Sequence, residues 1–206
     1  MKANKGGQYE RAVCKQLGLW WTHGERDDVF WRSAQSGGRA TTRAKRGLRT
    51  HGSYGDVAAV DPIGEPLIKF ATIELKRGNT HGSAADLLEV RPSTKQRPFE
   101  RCMNQTISSA QQAQSVGWFL IVRRDQRIAM IYMPTKLFRI FQFERDDYMP
   151  RTMFRMMINK PDGPAKRLQF VGMHFDDFLE KTNPNQIIEY MSNQLLEHNK
   201  NRKEMK

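Results

Sequence analysis

The sequence has few cysteines and no long apolar run. Its 2 cysteines, Cys14 and Cys102, both lie in apolar patterns typical of helices, so we expect free buried thiols in a reducing compartment rather than a disulfide. No stretch approaches the roughly 18 consecutive apolar residues that a membrane span needs. Met1 to Gly7 is polar and basic, with no apolar segment behind it. We therefore expect a cytoplasmic protein with neither a signal peptide nor a membrane span.

Several catalytic signatures are also missing. The 5 histidines are scattered without the spacing of a zinc site or an HNH motif: His23, His51, His81, His174 and His198. No phosphate-binding loop and no nucleophile elbow occurs. The chemistry of this chain must therefore be sought among its carboxylates and its basic residues.

Acidic residues are outnumbered by basic ones. The chain has 34 Lys and Arg against 22 Asp and Glu, which gives a formal net charge of +12. A field of that sign favours polyanions, and nucleic acid is the first candidate. The alternative is a basic surface without a ligand. With 206 residues, the chain suits one domain or a core with an appendage.

Positive charge is concentrated between Arg32 and Tyr54, where no acidic residue occurs. Glycines and small polar residues interrupt this basic loop, so it cannot bury much, but it can wrap phosphates and release their counterions. The predicted nucleic-acid-binding residues here are Arg32, Arg39, Arg43, Lys45, Arg46 and Arg49. The alternative is a solvated loop with no ligand.

Two apolar runs between His51 and Arg77 carry the candidate site. The first, 56–60, opens with Gly55-Asp56, and the second, 68–76, closes with Glu74-Leu75-Lys76. The connection 61–66 is rich in turn residues, which predicts an antiparallel hairpin. The start of one strand would then face the end of the next, which would bring Asp56 opposite Glu74 and Lys76.

Strand alternation sorts the side chains at the end of the second run. Glu74 and Lys76 fall on one face, while Ile73 and Leu75 point into a core on the other. Two carboxylates and one amine at the rim of a sheet, here Asp56 with Glu74 and Lys76, can hold a hard metal ion and activate a water. The alternative is a surface salt bridge between Glu74 and Lys76 beside an unrelated aspartate.

A third carboxylate lies on the first predicted helix, 8–17, which we expect to end at Gly18. Glu10 falls on the apolar stripe of this helix, and a carboxylate on a core-facing side needs a partner. The alternative is a position at the edge of the stripe, in the first turn, where acids favour the helix dipole.

The rest of the chain divides into two parts. Up to residue 133 the pattern predicts a further short strand at 29–33, a helix at 99–116 and strands at 118–123 and 127–133. Beyond it we predict a hairpin from 153–159 and 168–171 and two helices, 175–180 and 187–197. The predicted domains are accordingly a core, 1–133, and an α+β extension, 134–206, for dimerisation or for contact with DNA or another partner.

The order of these elements, with their acidic residues, resembles the PD-(D/E)xK nuclease superfamily, which has the restriction-endonuclease-like fold. Within it the chain looks most like archaeal and viral Holliday junction resolvases and related phage nucleases, over roughly Gly7 to Met133. The matching residues are Glu10, Asp56, Glu74 and Lys76. Gly55 stands where the family pattern usually has proline. Ser33 or Ser36 could match a family serine, and Gln105 a glutamine of the second helix.

This resemblance implies an α/β fold, with an αβββαβ core whose mixed central sheet is flanked by helices. It also implies a Mg²⁺- or Mn²⁺-dependent DNA endonuclease that cuts branched DNA, located in the host cytoplasm if the protein is viral. A homodimer is implied because two symmetric nicks need two sites. The alternatives are a nuclease for linear duplexes, flaps or single strands, and a non-catalytic DNA-binding protein of the same fold.

The resemblance also implies a role for each matching residue. Asp56, Glu74 and the backbone carbonyl of Leu75 would ligate the metal, and Glu10 would hold a second ion or a water on the metal. Lys76 would position or deprotonate the attacking water and stabilise charge on the phosphate. Ser36 joins the predicted DNA-binding residues of the basic loop.

Overall fold

The structure, a computed structural model, describes residues 5–33, 54–89, 95–141, 149–158 and 164–204. The helices in these ranges are α1 (Lys5–Trp21), α2 (Glu65–Phe70), α3 (Asp86–Glu89), α4 (Pro98–Ala113), α5 (Thr135–Phe138), α6 (Phe175–Lys181) and α7 (Asn185–Glu204). The strands are β1 (Phe30–Arg32), β2 (Val57–Ala59), β3 (Ala71–Arg77), β4 (Gly117–Arg123), β5 (Met130–Pro134), β6 (Arg151–Ile158) and β7 (Lys166–His174).

A mixed sheet of five strands, in the order β3-β4-β5-β7-β6, forms the centre of the fold. β3 and β4 run parallel, with α4 as their crossover, and the remaining neighbours are antiparallel. A separate antiparallel pair joins β1 to β2. The predicted α/β class, with a mixed central sheet flanked by helices, is confirmed.

Side-chain alternation divides the core between the two faces of this sheet. On β4, Phe119 and Ile121 pack with α1 and α6, whereas Trp118, Leu120 and Val122 pack with α4. Both faces are therefore covered by apolar side chains, as expected for a sheet between helical layers.

The predicted hairpin of 56–60 with 68–76 is wrong. β2 pairs with β1, and the segment between β2 and β3 folds into a 3₁₀ turn, Pro62–Gly64, followed by α2. Asp61 caps the turn by accepting a hydrogen bond from the Ile63 N–H at 3.0 Å. A proline in the first turn of each helix favours this outcome, because proline fits a helix start. Residues 68–70 are consequently helical, and the strand begins at Ala71.

The first helix is longer than predicted, because α1 continues through Gly18 to Trp21. Both tryptophans of its last turn are buried, and each indole N–H donates to a carbonyl: Trp20 to Thr182 at 3.0 Å and Trp21 to Ile63 at 2.7 Å. Gly18 is needed for packing rather than for ending the helix, since a Cβ there would lie 3.0 Å from the Arg26 carbonyl oxygen.

The predicted C-terminal hairpin is confirmed as β6 and β7. β7 also pairs with β5, so the central sheet continues across the predicted boundary at residue 133. Phe175 and Phe178 of α6 pack in the same cluster as α1. A separate role for 134–206 stays a prediction. In the described ranges, none of the helices is long and apolar enough to span a membrane.

Candidate active site

The candidate site lies at the C-terminal end of β3. Glu74 and Lys76 point to the face of the sheet that α4 covers, while Ile73 and Leu75 lie in the core on the α1 side. The predicted alternation is therefore confirmed. Glu74 is only 3% exposed, so its carboxylate depends on hydrogen-bond donors from the protein.

Asp56 reaches this strand end from the residues that precede β2. Its N–H donates to the Ile73 carbonyl at 2.8 Å, and its Oδ2 accepts from the Leu75 N–H at 2.8 Å. Its own carbonyl accepts from the Ser33 N–H, beyond β1, at 2.9 Å. The structure thus brings Asp56 beside the Glu74 strand as predicted, through these bonds rather than through a hairpin.

Gly55 makes this close approach possible. Its φ is +78°, and a Cβ at this position would lie 2.6 Å from the Ile73 carbonyl oxygen. Proline holds φ near −65°, so it cannot adopt the Gly55 conformation. The Ser33 hydroxyl donates to the Gly55 carbonyl at 2.8 Å and braces the same turn. The backbone conformation at this position therefore explains why glycine stands where the family pattern usually has proline.

Three side-chain donors surround the Glu74 carboxylate. Oε2 accepts from Lys76 Nζ at 3.2 Å and from Gln105 Nε2 at 3.3 Å, and Oε1 accepts from the Ser109 hydroxyl at 2.9 Å. Gln105 and Ser109 lie four residues apart on α4 and so share one side of the helix. The sequence reasoning missed Ser109, and its spacing from Gln105 was the signal that could have identified it.

The electrostatics of the site favour an added cation. Burial and the neighbouring Glu74 carboxylate raise the pKa of Asp56 to about 7, against the effect of Lys76. Burial by itself would lower the pKa of Lys76, but Glu74 and Asp56 outweigh it and hold that pKa above its usual value. Two close carboxylates with a single lysine leave negative charge that a divalent cation would neutralise.

The donor set also fits such an ion. Carboxylate oxygens are hard ligands, and Mg²⁺ commonly uses only one or two carboxylates together with waters and substrate phosphates. Among the described residues, no cluster of three or more His, Cys, Asp or Glu side chains is placed to hold a metal. Asp56 and Glu74 would thus provide two carboxylate ligands, with water and a substrate phosphate to complete the coordination.

Glu10 lies beside this pair but already has a partner. Arg32 Nε donates to Glu10 Oε2, and Glu10 is close enough to Asp56 to contribute to its raised pKa. The sequence indicates that this core-facing carboxylate needs a partner, and the structure shows that the partner is Arg32. The predicted roles of Glu10 in metal binding and of Arg32 in DNA binding stay predictions. The other predicted DNA contacts lie outside the described residues: Ser36, Arg39, Arg43, Lys45, Arg46 and Arg49.

His81 also lies near the site and was not singled out by sequence. Its Nδ1 is 3.7 Å from Cys102 Sγ on α4. Burial, and then the positive charge of Lys76, lower the pKa of His81. His81 is therefore a neutral, half-buried neighbour of the lysine at neutral pH.

A mixed α/β sheet with an acidic pair and a lysine at the end of one strand, here the edge strand β3, is the arrangement of the PD-(D/E)xK class of nucleases. A family model described as "Phage putative PDDEXK endonuclease" matches residues 1–189. The chain belongs to this family of phage nucleases. No curated protein and no solved structure matches this chain.

Proposed function

We propose that this nuclease is a divalent-metal-dependent DNA endonuclease. Asp56, Glu74 and Lys76 form the site at which it cleaves phosphodiester bonds. One observation carries the proposal: the half-buried Asp56 carboxyl is held against the end of β3 beside Lys76 and the buried Glu74, and its pKa is raised to about 7. Two neighbouring carboxylates that are removed from water are costly to hold unless a cation or a proton compensates them. A phosphate diester brings negative charge of its own, which makes the cation more necessary still.

Each residue has a separate task in this proposal. Asp56 and Glu74, with the carbonyl of Leu75, would hold Mg²⁺ or Mn²⁺, and Glu10 would support a second ion or an ordered water. Such an ion would supply Lewis acidity towards the phosphate and lower the pKa of a bound water. Lys76 orients the attacking water and stabilises the charge that develops on the phosphate. Gln105 and Ser109 hold Glu74 in place.

The proposed substrate is branched DNA, cut by a homodimer. The net charge of +12 and the acid-free segment that follows Arg32 support a polyanionic partner. The resemblance to junction resolvases supports the branched substrate, and a two-fold dimer would place two sites on the two strands. A nuclease for linear duplexes, flaps or single strands remains the second candidate.

Cleavage of matched substrates tests this function. Purified protein with Mg²⁺ or Mn²⁺ is mixed with four-way junctions, flaps, linear duplexes and single strands of the same sequences. We expect metal-dependent cleavage that is fastest on the junction, together with loss of cleavage but not of binding in Lys76→Ala. Equal rates on every substrate would refute the preference for branched DNA. Equal rates in wild type and Lys76→Ala would refute the site.

A further inference from the structure

The turn between β4 and β5 brings a cluster of arginines to the edge of the sheet where the candidate site lies. β3 and β4 are parallel and in register, with Lys76 opposite Val122 and Arg77 opposite Arg123. Both strands therefore end at the same level, and the turn at 124–129 begins directly beside the residue that follows Lys76. This turn contributes Arg124 and Arg127, after Arg123 at the strand end.

Several polar contacts attach this turn to the segment after Lys76. The Gly78 N–H donates to the Arg123 carbonyl at 2.9 Å, and the Asp125 N–H donates to Asn79 Oδ1 at 3.1 Å. The Arg77 guanidinium lies 2.8 Å from Asp125 Oδ1 and donates to the Arg123 carbonyl at 3.1 Å. These contacts thus fix the position of the turn relative to the end of β3.

The same contacts leave the turn positively charged. Asp125 is its one acidic residue, and Arg77 pairs with it. Within the described ranges, neither Arg124 nor Arg127 forms an ion pair with a carboxylate. The nearby Asp86 accepts hydrogen bonds from the Ser83 N–H and hydroxyl, at 2.7 and 3.3 Å. A net positive surface therefore remains beside the candidate site.

Two open grooves meet at these arginines. One, of about 410 Å³, is lined by Asn79, Arg124, Asp125, Gln126 and Arg127. The other, also of about 410 Å³, is lined by Gly82, Ser83, Val122, Arg124, Gln126, Arg127, Ile128, Met130 and Tyr132. Val122 is opposite Lys76 in the register, and Gly82 follows His81, the neighbour of Lys76. The grooves therefore lie at the same end of the sheet as the candidate site.

We propose that Arg124 and Arg127 bind the phosphate backbone of the DNA strand next to the bond that is cleaved. The guanidinium group presents several N–H donors in a planar fork that matches phosphate oxygens. Contacts of this kind position the DNA without reading its sequence. This inference rests on the proposed function, because a groove at the end of β3 meets DNA only if the scissile phosphate lies at Asp56 and Glu74.

Binding without cleavage tests the inference. Fluorescence anisotropy with labelled duplex and junction DNA is recorded in EDTA over a range of salt concentrations. The test variant is Arg124→Gln/Arg127→Gln. The control, Arg139→Gln/Arg155→Gln, removes the same charge elsewhere: Arg139 follows α5, which packs at the opposite end of β4, and Arg155 lies on the edge strand β6. Circular dichroism checks that each variant is folded.

The test variant should bind roughly 10-fold more weakly at moderate salt, and the slope of log K against log salt should fall by about 2. The control should keep the wild-type slope. Equal losses in the two variants would overturn the inference, as would a wild-type slope in the test variant. Arg124→Lys/Arg127→Lys should recover most of the slope, because the charge is kept.

The cleavage assay separates this inference from the proposed function. If wild type cleaves DNA with Mg²⁺ and Lys76→Ala does not, the function stands whatever the anisotropy shows. If the protein neither binds nor cleaves DNA, both proposals fail together.

Discussion

The backbone N–H of Leu75 donates a hydrogen bond to Asp56 Oδ2 at 2.8 Å. Leu75 lies between Glu74 and Lys76 in the sequence. This bond fixes one oxygen of Asp56 against the end of β3. The Asp56 N–H bonds the Ile73 carbonyl at the same time, so backbone and side chain are both tied to one strand. The position of the carboxylate pair therefore follows from main-chain contacts as well as from side-chain packing.

Gly55→Ala should destabilise the protein more than Gly24→Ala. Both glycines have positive φ, +78° and +93°, so each alanine incurs a backbone cost of roughly 1–2 kcal/mol. Only at Gly55 would the new Cβ also collide with backbone, whereas at Gly24 it meets nothing within 4 Å. Denaturant unfolding measures the difference. Equal losses would contradict the tight packing of the Gly55 turn on β3.

The metal-free protein should lose stability as pH rises from about 4 to about 7. The pKa of Asp56 is raised from 3.8 to about 7 in the folded state, so the folded protein binds more protons than the unfolded chain across this window. Stability that is present below the unfolded pKa is then lost at about 1 kcal/mol per pH unit. Urea unfolding in EDTA at several pH values measures the slope.

Asp56→Asn should remove this slope and make the metal-free protein more stable than wild type at pH 8. The exposed Asp27, changed to Asn in the same way, serves as the control and should leave the slope in place. An unchanged pH profile in Asp56→Asn would mean that another group is responsible.

Ser109→Ala should remove one of the hydrogen bonds that position the Glu74 carboxylate. The variant leaves Glu74 Oε1 without the hydroxyl that donates at 2.9 Å, and loss of a donor to a buried acceptor costs about 1–3 kcal/mol. Because residues that orient a metal ligand act through it, the Mg²⁺ concentration needed for half-maximal cleavage should rise roughly 10-fold. Ser108→Ala, an exposed neighbour on the same helix, is the control. Ser109→Thr keeps a hydroxyl and should recover part of the effect.

Divalent ions should stabilise the folded protein. Ligands that bind only the folded state raise its stability in proportion to the logarithm of their concentration. Mn²⁺ should therefore raise the melting temperature of wild type and of Lys76→Ala, but not that of Asp56→Asn/Glu74→Gln. Monovalent salt at equal ionic strength controls for screening. An equal rise of the melting temperature in the double variant would mean that the ion binds at another site.

The sequence predicted the site better than the path of the chain that builds it. Alternation along an apolar run was sufficient to place Glu74 and Lys76 together, because a strand has only two faces. The adjacency of Asp56 was predicted through a hairpin that does not exist. Residues 61–66 carry both turn and helix-start signals, and the capping contact of Asp61 together with the packing of Gly64 against Phe30 decides between them.

Other features of the site depend on tertiary contacts that local patterns do not encode. Gln105 is an exposed residue of α4, and helical counting does not show that its side chain reaches the Glu74 carboxylate. The partner of Glu10 could not be identified either, because Arg32 comes from a strand twenty-two residues later. His81 lies in a short 3₁₀ turn with no periodic signal, so only the packing of that turn beside Lys76 brings it near the site.

The most direct measurement compares DNA cleavage by wild type, Asp56→Asn, Lys76→Ala and the control Asp27→Asn, with Mg²⁺ or EDTA present. The proposed site predicts cleavage by wild type and Asp27→Asn only, and only with Mg²⁺. It also predicts that Lys76→Ala still binds the DNA that it no longer cuts. Cleavage by wild type in EDTA, or wild-type rates in Asp56→Asn and Lys76→Ala, would contradict a metal-dependent site at these residues.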